Sequence, residues 1–294
     1  MTKITYTENL QQTTVAGFRA WITNLSQALT ACGLVRATDG GQLDPAAIAY
    51  PTTTNQMCGY EIYRFNDTLQ ATKPIFLKVE YGSSNYAYAP QIRVTVGTGT
   101  TGAGVITGPQ GTQTVFVSGT PSSPNDAQTW VSHSAGGSFV LVWAARAISN
   151  DPKALKFVVI DRARDDTGAP LGEAVLYMCS ITDRSIQQNI LQTGSAPITS
   201  PSTLPQCLVP FGVSGSAVGT DVQLFRHVIM APKVRHSLAV LSYYDNEIGA
   251  GQEIVVSPFG TAHTYLTLGS LYGPPNFSNY AAQASAAAAV LWEA

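Results

Sequence analysis

Gly97-Thr98-Gly99-Thr100-Thr101-Gly102 has the spacing of a dinucleotide-binding loop and directly follows a strand-like run. Such a loop works by opening a helix whose N-terminus holds a pyrophosphate. Here the chain continues AGVITGPQGTQTVFV, rich in Gly, Thr and Pro and prone to strand. No helix is expected to start there, so the stretch is read as a loop and no cofactor is assigned. His133, His227, His236 and His263 form no HxH, HxxxH or HExxH pattern, and Cys32, Cys58, Cys179 and Cys207 form no CxxC, so no metal site is assigned. The thiols are expected to be free. There is no GxSxG elbow and no Walker lysine.

Carboxylates that could act in pairs are Glu61, Glu80, Asp161, Asp165, Asp166, Asp183, Asp245, Glu247 and Glu253, but sequence gives no pairing. Asp161-Arg162-Ala163-Arg164-Asp165-Asp166 reads as a salt-bridged strand end and turn. No catalytic residue is assigned. Tyrosine is the one enriched type suited to recognition. Tyr86 and Tyr88 lie in a hairpin loop, and Tyr243-Tyr244 precede Asp245-Asn246. Tyrosine beside Asn and Ser suits protein interfaces and sugar stacking alike. Val290, Leu291 and Trp292 are the third candidate contact, on a tail that must dock on its own body or on a neighbour.

Composition narrows the class. Of 294 residues, 12% are charged, about half the usual ~25%, while 45% are hydrophobic. Thr, Ser, Gly, Gln and Asn replace the missing charge. A surface of small uncharged polar groups costs little to desolvate, which suits faces covered by neighbours; a secreted or wall-exposed β protein would share this composition. The net charge of −2 and the lack of a Lys/Arg cluster give nucleic acid no footprint. No apolar run is long enough to span a membrane, and MTKITYTENLQQTT has no apolar signal region, so folding in a cytoplasm is expected.

The elements that would position these groups are mostly strands. Ile75, Leu77, Val79 and Tyr81 alternate with Phe76, Lys78 and Glu80, and Ile92, Val94 and Val96 alternate with Gln91, Arg93 and Thr95. Further strands are expected at 59–65, 113–117, 139–144, 155–160, 173–181, 223–230, 237–244, 253–256 and 263–268. The near-continuous apolar runs at 139–144, 155–160 and 173–181 predict strands covered on both faces. Residues 97–138 otherwise read as a long loop tract, and 194–205 as a linker or sheet-to-sheet crossover. Val15, Phe18, Ile22, Leu25, Leu29 and Cys32 mark one helix over 14–32, with Thr13 or Thr14 as N-cap and Gly33 at its end. The Ala-rich run before Glu293 favours a second, short helix.

One order of residues carries a resemblance. The helix with Phe18 and Trp21 ends in Cys32-Gly33-Leu34, and Asp39-Gly40-Gly41-Gln42-Leu43-Asp44 follows. Then come Gly59-Tyr60-Glu61-Ile62-Tyr63-Arg64-Phe65-Asn66-Asp67, Pro74-Ile75-Phe76, Glu80-Tyr81-Gly82, Gly97-Thr98-Gly99 and Gly102-Ala103-Gly104. This order resembles virion structural proteins of tailed bacteriophages and fades after Gly104. The resemblance implies a tail, neck or head-surface component and carries over no catalytic or binding residue.

The expectation is a mainly β chain, an antiparallel β-sandwich or jelly roll with an N-terminal amphipathic helix and a short C-terminal Ala-rich helix. Residues 1–200 would hold the helix and main sandwich; 201–294 would be a C-terminal β segment and docking tail, or one domain with it. The expected function is that of a non-enzymatic virion subunit in a tail, neck, baseplate or head surface. Its partners would be copies of itself and other virion proteins, not nucleic acid or membrane. The protein would be made in the host bacterial cytoplasm and reside in the virion. The alternative is a receptor- or glycan-binding module at a tail tip or fibre, with a host surface glycan as partner. A polysaccharide-cleaving enzyme is the third reading.

Overall fold

The structure, a computed structural model, describes residues 2–9, 14–83, 90–116, 126–134, 137–144, 155–182, 185–186, 191–192, 211–214, 223–229, 235–244, 251–270 and 286–293. The chain begins with β1 (Thr2–Asn9) and α1 (Val15–Ala31), then β2 (Val35–Arg36), β3 (Met57–Arg64), β4 (Phe76–Ser83), β5 (Pro90–Thr100) and β6 (Ile106–Phe116). It continues with β7 (Asp126–Ser134), β8 (Ser138–Ala144), β9 (Leu155–Arg164), β10 (Pro170–Thr182), β11 (Ser185–Ile186) and β12 (Leu191–Gln192). The last described elements are β13 (Phe211–Ser214), β14 (Gln223–Ile229), β15 (Arg235–Tyr244), β16 (Glu253–Val256), β17 (His263–Ser270) and β18 (Ala286–Leu291).

The helix forms where its apolar stripe requires and is closed at both ends. Thr14 Oγ1 accepts from Gly17 N at 3.1 Å. Gly33, at φ +98°, ends the helix. Its N–H reaches Thr30 O and the Leu34 N–H reaches Leu29 O, the paired bonds of a Schellman cap. Phe18, Trp21, Ile22, Leu25, Leu29 and Cys32 are buried, whereas Val15, the first residue of the stripe, is 45% exposed.

Strands β2-β3-β4-β5-β6 form one antiparallel sheet. Its register sets Tyr63 opposite Leu77, Val79 opposite Val94 and Tyr81 opposite Ile92, so period-two alternation puts all of them on one face. That face, α1, and Phe139, Leu141, Val158 and Ile160 of β8 and β9 make a single apolar core. β8 and β9 belong to a larger antiparallel sheet whose main path runs β1-β7-β8-β9-β15-β18-β17-β16, with β10 to β14 attached beside it. The fold is thus mainly β and sandwich-like, with the helix near the N-terminus sharing the core between the sheets. Phe139 to Val142 and Val158 to Ile160 are buried without a break, so these strands are covered on both faces as the apolar runs predicted.

Two expectations change. The Ala-rich run is not a helix: it is β18, laddered to β15 on one edge and β17 on the other. Alanine's helix preference is under ~1 kcal/mol per residue, and a helix this short is marginal alone. Two ladders outweigh it, and Ala289, Val290 and Leu291 are buried in the strand they form. Residues 97–138 are not one long loop: β5 and β6 pair across 101–105, and β7 pairs with β1 and β8. Strands from either side of position 200 share one sheet, in which β15 pairs with β9 and β18.

Candidate functional site

The described polar groups concentrate where separate elements meet. β9 pairs with β8 from Leu155 to Ile160, and its ladder to β15 is the single pair Arg164–His236. Asp161, fully buried, lies between these two pairings. Its Oδ1 accepts from Ser138 Oγ at 2.5 Å. Its Oδ2 accepts from Ser237 Oγ at 2.8 Å, Leu238 N at 2.7 Å and Ala239 N at 3.0 Å. The carboxylate therefore takes the place of the ladder where β9 leaves β8 and meets β15. Beside it, Tyr265 Oη donates to Leu238 O at 2.7 Å. Burial, then the Asp161 charge, hold the Tyr265 phenol well above its ordinary range.

The next residue points the other way along the strand's pleat and joins the larger sheet to the loop after β3. Arg162 is fully buried and grips Asp67 with two nitrogens, Nε to Oδ2 and Nη2 to Oδ1, the latter at 2.9 Å. Its Nη1 donates to Lys73 O at 2.8 Å, and its guanidinium lies 5.8 Å from the Phe65 ring centroid. This fork geometry is what a planar guanidinium offers a carboxylate.

A third buried carboxylate joins helix to sheet. Glu61 stands on the core face of β3, fully buried. Ser26 Oγ of α1 donates to its Oε1 at 2.8 Å, and Tyr81 Oη of β4 donates to its Oε2 at 2.7 Å. Arg36 Nη2 lies 3.5 Å from Oε1. Burial and the nearby Glu61 charge raise the Tyr63 phenol; burial, Tyr63 and Glu61 raise that of Tyr81.

The remaining candidates are similarly engaged. Glu80 takes both Arg93 nitrogens at 2.6 and 2.7 Å, with Lys78 at 3.6 Å. Burial pushes its carboxyl up, but the hydrogen bonds and charges of Arg93 and Lys78 together pull it below its ordinary value. Asp165 holds the β9–β10 turn through Thr167 and Ala169, which lower its pKa. The run 161–166 is indeed a salt-bridged strand end and turn, with partners far away in sequence. His236 Nε2 sits 2.8 Å from Asp166 Oδ1, and His263 Nδ1 2.6 Å from Glu293 Oε1. Among the described residues no three His, Cys, Asp or Glu side chains gather as a metal site would need. Burial lifts the Cys32 thiol to about 12, and raises Cys58 as well.

The glycine-rich stretch is hairpin architecture. Gly97 and Gly99 lie in β5 against β6. Asp39 binds the turn beyond: Thr100 Oγ1 donates to Oδ2 at 2.9 Å and Gly104 N to Oδ1 at 3.2 Å. Gly104 has φ +83°, and a Cβ there would lie 2.0 Å from Tyr60 Oη. A glycine is required there by the close packing of the turn.

Of the sequence-predicted contact residues, Tyr86 and Tyr88 lie outside the described residues. Tyr243 and Tyr244 end β15 opposite Ala287 and Ala286. Val290, Leu291 and Trp292 are buried inside the chain's own body, the first of the two docking places open to the tail. Glu61 is the residue that the pattern could have revealed: it shares the inward phase of β3 with Tyr63 and Phe65. Asp161 and Arg162, directly after an apolar run, carry a weaker signal, since their partners come from other parts of the chain.

Chemically, a carboxylate whose oxygens already accept several donors has little capacity left to take a substrate proton. These clusters fix strand and helix positions. Fold and clusters define an antiparallel, sandwich-like β protein stapled internally by buried carboxylates. Compared with known protein families, curated proteins and solved structures, the chain matches none.

Proposed function

We propose that the protein is a non-enzymatic structural subunit of a tailed-phage virion, acting through symmetric contacts with its own copies and with other virion proteins. The observation that carries this reading is the placement of its few charges. Asp161, Arg162 and Glu61 are fully buried, Asp67 nearly so, and Glu80 is held by Arg93 and Lys78. With these charges engaged, neighbours can cover the uncharged polar groups of the exterior at small desolvation cost. Terminal strands β1 and β16 supply edges at which copies can pair. Val255 on β16 is 58% exposed and adds apolar area at one of them.

The test is the mass and shape of the purified full chain. Sedimentation and negative-stain microscopy should show one closed oligomer at micromolar concentration. A monodisperse monomer under those conditions, also absent from purified particles by mass spectrometry, would refute the assignment. Turnover on a host polysaccharide lost with a single carboxylate substitution would replace it with an enzyme.

A further inference from the structure

We propose that β18 is an exchange strand: in the assembled form it fills the slot between β15 and β17 of a second copy. This rests on the assembly reading above. The slot is defined on both sides. Val240 to Tyr244 of β15 pair with Val290 to Ala286, and Tyr265, Leu266 and Thr267 of β17 pair with Leu291, Val290 and Ala289. Val290, Leu291 and Trp292 anchor the strand by burial, Trp292 N donates to Thr264 O at 2.8 Å, and His263 meets Glu293 at its end.

Neighbouring antiparallel strands normally close with two to five residues. Here fifteen, 271–285, separate Ser270 from Ala286, although Ser270 already pairs with Ala287. Extended, such a connection reaches roughly 50 Å, enough to deliver the strand to an adjacent molecule. Its Gly273-Pro274-Pro275-Asn276 disfavours continuation of either ladder.

The energetics favour exchange over release. An empty slot would expose two strand edges, which invite uncontrolled pairing. Every slot must therefore be filled, and a strand from another copy makes the same ladders and buries the same side chains. In a closed ring, exchange changes only the path of the connection, so contacts made elsewhere between copies decide the outcome.

Thr267 and Ala289 face each other across the β17–β18 ladder, within disulfide reach. The full chain carrying T267C and A289C, purified and oxidised, is read on a non-reducing denaturing gel beside its native mass. The wild-type chain controls for the four native cysteines. Covalent multimers that collapse to monomer on reduction are expected. A native oligomer with only intrachain links overturns the exchange while leaving the assembly reading standing. A native monomer with intrachain links overturns both. Should the double variant not fold, co-expressed T267C and A289C single variants replace it: a mixed covalent dimer supports exchange, and an oligomer without one overturns it.

Discussion

Replacing Asp161 separates a staple from a packing residue. In Asp161→Ala, four donors lose their acceptor. The Ser138 and Ser237 hydroxyls can rotate, and Ala239 N keeps a 3.2 Å bond to Ser237 Oγ. Leu238 N has no such substitute, and an orphaned buried amide costs about 1–3 kcal/mol. With the space left by the carboxylate and the single ladder pair between β9 and β15, the loss is expected to be about 3–4 kcal/mol. At this size that corresponds to a fall in Tm of about 5–7 °C. Asp161→Asn is different. Its carbonyl can take the position of Oδ2, accepting from Ser237, Leu238 and Ala239, while its amide donates to Ser138 Oγ. It loses only the charge assistance, about 1–2 kcal/mol. Urea unfolding gives the two values, and amide hydrogen exchange locates them: Leu238 should lose protection in the Ala variant and largely retain it in the Asn variant. Equal destabilisation by both, or less than about 1 kcal/mol for Ala, would refute the junction role.

Asp67→Ala should cost about 3–5 kcal/mol in urea unfolding because it strands a buried guanidinium, and adding Arg162→Met should recover much of that loss. Gly104→Ala should be clearly more destabilising than Gly102→Ala: both have positive φ, costing about 1–2 kcal/mol, but only residue 104 would drive a methyl into Tyr60, as thermal melts can resolve. Above pH 9 stability should fall. Cys32 is raised from 9.0 to about 12, and Tyr63, Tyr81 and Tyr265 are raised above 10.0. A raised folded-state pKa gives stability that is full below the unfolded value and lost as pH climbs toward the folded one. Phenolate absorbance should therefore show a late cooperative step coinciding with unfolding; smooth titration of all thirteen tyrosines near 10 would contradict it. Glu80 works in the opposite direction. Its lowered pKa gives stability above about 4.5 that fades as pH drops further, and Glu80→Gln should reduce that acid-side slope by under about 1 kcal/mol, since Arg93 is partly exposed.

Sequence reading worked where one local rule decided the outcome. The β4–β5 alternation, the apolar runs of β8 and β9, and the helix with both caps follow from period, hydrophobicity and turn chemistry within a few residues. It failed where distant chain segments compete. Ala286–Leu291 favours helix locally, yet the unfilled position between β15 and β17 makes it a strand. β1 and β7 pair across more than a hundred residues, with no local signal that identifies either as the other's partner. The staples followed the same division. The inward phase of Glu61 could be read from β3 alone, but the four donors of Asp161 come from β8 and β15, and no spacing within 161–166 predicts them.

These staples also change what a low charge content means. Shortage of ionic groups and their concealment are separate effects, and here they act together. Arg162, Asp161 and Glu61 are taken wholly from the surface, so the exterior carries fewer charges than the already small number in the sequence. At a net charge of −2, little long-range repulsion keeps copies apart. Exposed β edges on such a body would aggregate unless their pairing is directed. In the proposed assembly, ordered self-contact would turn that liability into architecture. An exchanged β18 would direct it further, because a strand accepted in one register, anchored by Val290, Leu291 and Trp292, fixes the orientation of the molecule that supplies it.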